Sequence, residues 1–396
     1  MMNVELLAPA GSMENLEAAL YFGADAVYCG GPFLQLRAEA AGFSMETLKE
    51  AIRRTHEKGK KIYVTVNCFA KNREIETAGA YAKALYDMGA DAVIVSDLGV
   101  IAAIREACPA IPIHVSTQAN ALNYKTVQIY RQLGASRVVL GREMTMEEIE
   151  QLAGRTDGAE LEVFIHGAMC MAYSGRCLLS SALAARSGNR GECAQPCRWN
   201  YYLVEQQRAN TAIPVVQAGE ATAVLSSTDL NAIRLADRLA AAGVASFKIE
   251  GRMKSAYYVA TVVNAYRQYM DGKASLDDCD AELSCASHRP YADGFFFGAA
   301  KNDPFNDGLY HSDCDFIAAV TGDSENGVCT VEMRNRFRVG DVLEILSPNS
   351  MGLSFPVTRI ENAAGETLDD AALVQETLRL SCPYPLRKGD MLRRRK

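Results

Sequence analysis

The chain of 396 residues has no run of about 18 uninterrupted apolar residues. A helix needs that length to cross a bilayer, so no membrane span is expected. The opening stretch, MMNVELLAPAGSMENLEAAL, lacks a basic segment followed by an apolar one. No secretion signal is therefore expected, and the cytoplasm is the expected location. There is no HExxH helix, no GxSxG elbow and no GxxxxGK[ST] phosphate loop. Those gaps remove the motif-bearing metalloproteases, α/β-hydrolases and P-loop nucleotide enzymes. LGR and CGG are glycine-containing turns, not dinucleotide fingerprints. A Ser–His–Asp triad is assembled in space and leaves no such trace, and nothing in the sequence calls for one. Positive charge is short as well: the net charge is −7, which does not advertise a nucleic-acid binder.

What is present is an ordinary globular composition, 49% apolar and 22% charged. It can bury a large core without disulfides. The 12 cysteines, with no secretion signal expected, argue for reduced thiols and metal chemistry. Eight of them (Cys29, Cys68, Cys108, Cys279, Cys285, Cys314, Cys329 and Cys382) are scattered singly and read as small buried hydrophobes. The other four crowd into HGAMCMAYSGRCLLSSALAARSGNRGECAQPCRW as Cys170-x6-Cys177-x15-Cys193-x3-Cys197. Four thiols among glycines and small residues suit a soft metal, as an iron–sulfur cluster or a zinc ion. Basic residues also cluster. The final stretch RKGDMLRRRK, the RNRFRVG segment and the run from Arg186 to Arg198 are local patches able to hold phosphates. The alternative for the tail is a solvated, partly disordered end.

The first 250 residues repeat one theme, a β-branched run followed by a helical stretch. The runs are VELLAP, DAVYCGG, KIYVTVN, DAVIVSD, IPIHVSTQ, SRVVLGRE, LEVFIHG and SFKIEGR. Gly23, Gly89 and Gly134 precede strands at the points where a left-handed residue ends a helix. Apolar strands alternating with helices imply a parallel sheet covered on both faces. Eight such units predict an α/β fold, a (β/α)8 TIM-like barrel, with an open doubly wound sheet as the alternative. About 80 residues separate LEVFIHG from SFKIEGR, where a normal unit takes roughly 30. The excess, holding the cysteines, WNYYLVEQ and AVLSSTDL, reads as an elaborated loop at the active face. After the barrel the texture turns to short alternating strands between turn residues. The expected domains are a barrel over 1–280 with a Cys-rich insertion over 168–230, a linker over 281–313, and a small all-β, barrel-like domain over 314–396.

In such a barrel the strand C-termini form the reaction face. This places Asn67, His114, Ser116, Gln118, Arg142, Glu143, Lys248 and Arg252 as candidate substrate-binding residues, and His166 and Glu250 as candidate catalytic ones. Arg142 and Arg252 could each grip a carboxylate with two hydrogen bonds, which favours a small anionic ligand, even a dicarboxylate. The plainer alternatives are a Glu250–Arg252 ion pair and His114 as a hydrogen-bonded core residue. His166, four residues before Cys170, suits a supporting role beside the metal ligands.

EVFIHGAMCMAYSGRCLLS resembles the signature of the peptidase U32 family at Glu162, Phe164, Gly167, Cys170, Gly175, Cys177 and Ser180. LLAPAG, HVSTQAN, FKIEGRMKS and RNRF followed by VGD resemble that family too. Within it, the chain looks most like the tRNA hydroxylation branch. That resemblance implies oxygen-independent hydroxylation of the wobble uridine to 5-hydroxyuridine. It implies a [4Fe-4S] cluster on Cys170, Cys177, Cys193 and Cys197 and prephenate as hydroxyl donor. It implies tRNA as a partner, with electron-transfer or cluster-assembly proteins besides. Some branches carry a cluster cysteine after an (S)KDL motif. Here SSTDLNAI has Asn231 at that place, which favours Cys197 as fourth ligand. The alternatives are a collagenase-like peptidase with a structural zinc or cluster, and a non-catalytic RNA-binding protein.

Overall fold

The computed structural model describes residues 2–36, 42–170, 172–199, 228–298, 309–348 and 351–396. Strands β1 (Glu5–Ala10), β2 (Ala26–Gly30), β3 (Lys61–Val66), β4 (Ala92–Val95), β5 (Ile113–Val115), β6 (Ala135–Val139) and β7 (Glu160–Ala168) pair in sequence order. The short β8 (Asp229–Asn231) lies antiparallel on β7, and β9 (Ser246–Ile249) pairs parallel with both β7 and β1. The sheet therefore closes on itself. Among the described residues, eight parallel strands form the barrel, and they are the eight expected from sequence. The open-sheet alternative is excluded because β9 bonds to β1 (Leu6 opposite Phe247).

Local chemistry explains why these units form. Helices begin at Ser44, Asp97, Asn123 and Thr145, whose side chains accept from backbone N–H groups of the first turn. Such caps satisfy donors that have no partner inside the helix. Gly23, Gly89 and Gly134 have φ of +100°, +94° and +93°, the left-handed conformation that costs glycine nothing. The aspartates that follow two of them have their own task. Asp25 accepts from Leu6 N–H at 3.0 Å and Asp91 from Ile62 N–H at 2.8 Å. Each tethers a new strand to its predecessor.

The barrel interior is apolar on one side and charged on the other. Leu7, Ala26, Tyr28, Tyr63, Ala92 and Ile94 form a buried cluster across β1 to β4. Across the closing seam the interior is ionic. Glu162, fully buried, accepts from Lys248 Nζ at 2.6 Å and Arg137 Nη1 at 3.1 Å. Arg137 also reaches Glu5 at 2.5 Å, and Tyr63 OH donates to Glu5 at 2.6 Å. Burial alone would raise the Glu162 pKa, but Lys248 and Arg137 outweigh it and hold the carboxyl below its ordinary range.

Two compact units result. The barrel unit takes residues 1–16, 24–254 and 288–311, and the second takes 17–23, 255–287 and 312–396. Residues 255–287 thus cluster with the C-terminal unit, whereas most of the expected linker, 288–311, clusters with the barrel. Of the expected insertion, 200–227 (including most of WNYYLVEQ and AVLSSTDL) lies outside the described residues.

The second unit has strands β10 to β20 apart from β10 (Tyr291–Ala292), which pairs with β8 in the barrel unit. They are β11 (Cys314–Glu325), β12 (Val328–Met333), β13 (Phe337–Arg338), β14 (Val342–Leu346), β15 (Ser354–Pro356), β16 (Ile360–Asn362), β17 (Thr367–Leu368), β18 (Asp370–Ala371), β19 (Thr377–Ser381) and β20 (Met391–Arg395). Their antiparallel sheet runs β15-β14-β20-β11-β12-β19-β16-β17 over a core that includes Ile317, Val331, Phe337, Leu343 and Phe355.

The basic tail is neither disordered nor a free phosphate patch. It is β20, bonded on both sides. Arg393 is buried between Glu282 and Glu344, Arg394 meets Asp341 at 3.0 Å, and Arg395 meets Glu344 at 3.1 Å. Arg336 and Arg338 share Asp370. These charges are consumed in holding the unit together.

Glu162→Ala should destabilise the barrel by about 3–5 kcal/mol, because it leaves a buried lysine without its carboxylate. Urea unfolding followed by far-ultraviolet circular dichroism checks this.

Candidate active site

At the C-terminal ends of the strands lies a cavity of about 90 Å³. A water needs roughly 10–15 Å³ on this measure, so the space takes several waters or one small ligand. Asn67, Ser116, Gln118, Arg142, Cys170, Lys248, Glu250 and Arg252 line it. Eight residues singled out from sequence are therefore brought together. Tyr28, Thr65, Thr117, Phe164 and Arg198 complete much of the wall. None of these five is among the candidate site residues read from the sequence. Arg198, beside Cys197, and Phe164, within the cysteine segment's lead-in strand, had the clearest signal.

The arginines differ from the simple expectation. Glu250 pairs with Arg142 at 3.3 Å. The Arg142 guanidinium also stacks 3.9 Å from the Phe164 ring centre, a favourable cation–π contact. Arg252 donates to Gln35 Oε1 at 3.0 Å, Thr65 Oγ1 at 3.1 Å and the Leu36 carbonyl. Lys248 is tied to Glu162 behind the cavity. The wall holds Arg142, Arg198, Lys248 and Arg252 against Glu250, a positive excess that suits an anion.

The remaining candidates stand elsewhere. His114 lies deeper in the barrel, edge-on to Tyr63 with ring centres 4.6 Å apart. Burial, with Arg137, pushes its pKa down to about 3. His166 does not line the cavity. Its Nε2 lies 3.3 Å from Tyr291 OH, and burial, with His288 and Lys254, lowers its pKa to about 3. Both imidazoles are neutral at pH 7. Glu143 is also outside the cavity. It accepts from Ser174 N–H at 2.8 Å and from Asn120 Nδ2 at 3.3 Å. Glu143 therefore holds the cysteine segment rather than a ligand.

That segment is anchored at several points. Gly175 has φ +73°, and a Cβ there would lie 2.1 Å from the Gln118 carbonyl oxygen. Only glycine permits this backbone-to-backbone approach. Asn189 Nδ2 donates to the Cys177 carbonyl at 3.0 Å, and Ser180 Oγ accepts from Ala194 N–H at 3.0 Å. Arg190 bridges Glu74 and the Phe69 carbonyl. Cys170, Cys177, Cys193 and Cys197 are free thiols, and none is fully buried. Burial raises the Cys197 pKa, Arg198 opposes it, and the Cys170 and Cys193 thiols raise it further. Cys197 is thus within electrostatic reach of both Cys170 and Cys193. Among the described residues, no three His, Cys, Asp or Glu side chains converge to enclose a single metal ion. Thiols are the donor type that an iron–sulfur cluster takes; Cys170 is exposed and lines the cavity, and Cys177, Cys193 and Cys197 are half-buried.

The description "Peptidase family U32" fits residues 11–305, and that of the family's C-terminal domain fits residues 312–393. The chain belongs to peptidase family U32. It is 36% identical to the tRNA hydroxylation protein P of Escherichia coli, over 98% of this chain and 95% of that protein. It is 36% identical to tRNA hydroxylation protein P1 of Bacillus subtilis, over 99% and 95%. It is 37% identical to a 23S rRNA 5-hydroxycytidine synthase of Escherichia coli, over 68% of this chain and 39% of that one. The U32 signature residues divide by task in this chain. Cys170 lines the cavity, Phe164 supports Arg142, Glu162 closes the barrel, and Gly175 seats the cysteine loop.

Gly175→Ala should cost about 1–3 kcal/mol of local stability. Tryptic cleavage at Arg176 and Arg186 should speed up by roughly tenfold, with the barrel melt little changed. A second outcome concerns pH. His114 and His166 have folded pKa values near 3, against an ordinary 6.5. Between these values the unfolded chain binds protons that the native one does not, so stability falls as pH drops through that window. Urea midpoints at pH 7 and pH 5 should show the loss, and His114→Gln should flatten it.

Proposed function

We propose that this U32 protein is an RNA hydroxylase that converts the wobble uridine of tRNA to 5-hydroxyuridine. What carries the reading is Cys170: the thiol-rich segment opens onto a cationic barrel cavity, in a chain matched along nearly its whole length by tRNA hydroxylation proteins. Cys170, Cys177, Cys193 and Cys197 would hold a [4Fe-4S] cluster. A bound cluster supplies the one-electron redox chemistry that hydroxylation without oxygen calls for.

The chain's own residues then have definite tasks. Arg142 and Arg252 bind the carboxylates of a small anionic donor, and prephenate, a dicarboxylate, suits two such arginines. Phe164 and Glu250 fix the plane of Arg142. The Glu250 carboxylate stands at the mouth, where it can hold or accept a proton. Lys248, held by Glu162, keeps positive potential at the cavity floor.

The RNA would meet the cysteine segment rather than the C-terminal arginines, which are already paired. Between Ala172 and Trp199 the segment has four arginines and one glutamate; Arg190 is taken up by Glu74, and Tyr173 and Trp199 are exposed. Exposed aromatics among arginines suit unpaired bases and their phosphates. The target uridine would have to leave its stack to present carbon 5 to so small a cavity. A hydrolase draws no support from this wall. Among the described residues no histidine lines it, so Ser116 and Thr117 have no imidazole base there.

The test combines metal and nucleoside analysis. Anaerobically purified protein should contain about four irons and four sulfides per chain. tRNA from cells without the gene should lose 5-hydroxyuridine-derived nucleosides. Cys177→Ser should abolish both the cluster and the modification while the barrel melt is kept. Unchanged nucleosides would sink the proposal. So would one zinc without iron, coupled to peptide hydrolysis that survives loss of all four cysteines.

A further inference from the structure

Cysteines that are isolated in sequence are paired in space within the second unit. Cys285 follows the helix Leu276–Leu283 and Cys314 opens β11, yet their sulfurs are 2.7 Å apart. Both side chains are buried. A buried apolar packing role would place each thiol against hydrocarbon; these two face each other instead. The backbone around them is tightly held. Ser312 Oγ lies 2.9 Å from the Cys285 carbonyl and 2.7 Å from the Cys314 carbonyl. Asp313 N–H donates to the Ser284 carbonyl at 2.9 Å, and Tyr257 OH to the Cys285 carbonyl at 3.2 Å. Bond formation, which needs sulfurs at about 2.05 Å, therefore asks for little movement.

We propose that Cys285 and Cys314 are a dithiol site that closes to a disulfide by exchange with a small-molecule disulfide. The step balances. The Cys314 thiolate attacks one sulfur of the oxidant and expels the first small thiolate. The Cys285 sulfur then attacks Cys314 and expels the second. Two protein thiols are oxidised, one disulfide is reduced, and the two protein protons end on the released thiols. Contact with the Cys285 thiol, helped by Arg393 and Arg395, holds the Cys314 thiol below its usual pKa against the effect of burial. Arg395 sits opposite Cys314 in the β11–β20 register. That arrangement makes Cys314 the attacking group. Burial makes the exchange slow, since the oxidant enters only when the start of β11 opens.

The bond would close the chain around residues 286–313. That stretch carries Arg289, bound to Asp229, Tyr291, beside His166, and Tyr310, which accepts from Arg198. Oxidation would join the two ends of that stretch covalently.

The experiment uses the full chain under anaerobic conditions, incubated for hours with oxidised glutathione. Free thiols are then blocked with N-ethylmaleimide under denaturing conditions and the digest is read by mass spectrometry. The expected result is a linked peptide joining Cys285 to Cys314, released by dithiothreitol, with the buried Cys279 recovered as a blocked thiol. The oxidised protein should melt roughly 5 °C higher or more than the reduced one. In Cys314→Ala, Cys285 should be recovered blocked. Recovery of both cysteines as blocked thiols in the native sequence after full equilibration would overturn the proposal. Linkage of either one to a different cysteine would overturn it too. Peptide mapping of the native chain decides the matter even if the variant fails to fold.

Discussion

Closure of the barrel depends on an ionic knot. Glu162 on β7 binds Lys248 on β9 and Arg137 on β6, and Arg137 reaches Glu5 on β1. Those four strands flank the seam where the sheet meets itself. Each charge would be costly alone in a low-dielectric interior, so each is retained only because the others are in register. The knot also aims Lys248 at the floor of the cavity. One interaction thus closes the fold and sets the electrostatics of the site.

The cysteine segment depends on that frame. Its glycine packs on the β5 loop, its serine on Glu143 after β6, and Arg190 on Glu74 after β3. Anchors from three separate strand ends seat a loop with little regular structure of its own. The thiols can therefore stay accessible without being loose. His114 and His166 serve this frame as neutral, buried groups, and the polar chemistry of the cavity falls to arginine, lysine, glutamate and one cysteine.

Charge is partitioned in the same way. The second unit spends its arginines internally: Arg393 is locked between Glu282 and Glu344, and Arg336 and Arg338 share Asp370. The cysteine segment itself carries four arginines and one glutamate between Ala172 and Trp199, and Arg190 takes its acid from Glu74. A basic run in a sequence is thus a poor guide to a basic surface, because acidic partners lie far away along the chain. Glu282 is more than a hundred residues from Arg393.

The eight strand–helix units were legible because burial on both faces demands continuous apolar runs, and because glycine and capping residues mark helix ends. The crowding of Cys170, Cys177, Cys193 and Cys197 was legible because spacing within one loop is a local property. So was the gathering of Asn67, Ser116, Gln118, Arg142, Lys248, Glu250 and Arg252, since a barrel places all strand ends on one face. Partner choice was not legible. That Glu250 takes Arg142, that His166 turns to Tyr291, that β20 buries Arg393, and that Cys285 meets Cys314 all depend on residues remote in sequence. Periodicity and local spacing determine which elements form and which end of each strand faces the site. Only tertiary packing decides which charges and thiols meet, because their energies depend on distance and burial that no single segment contains.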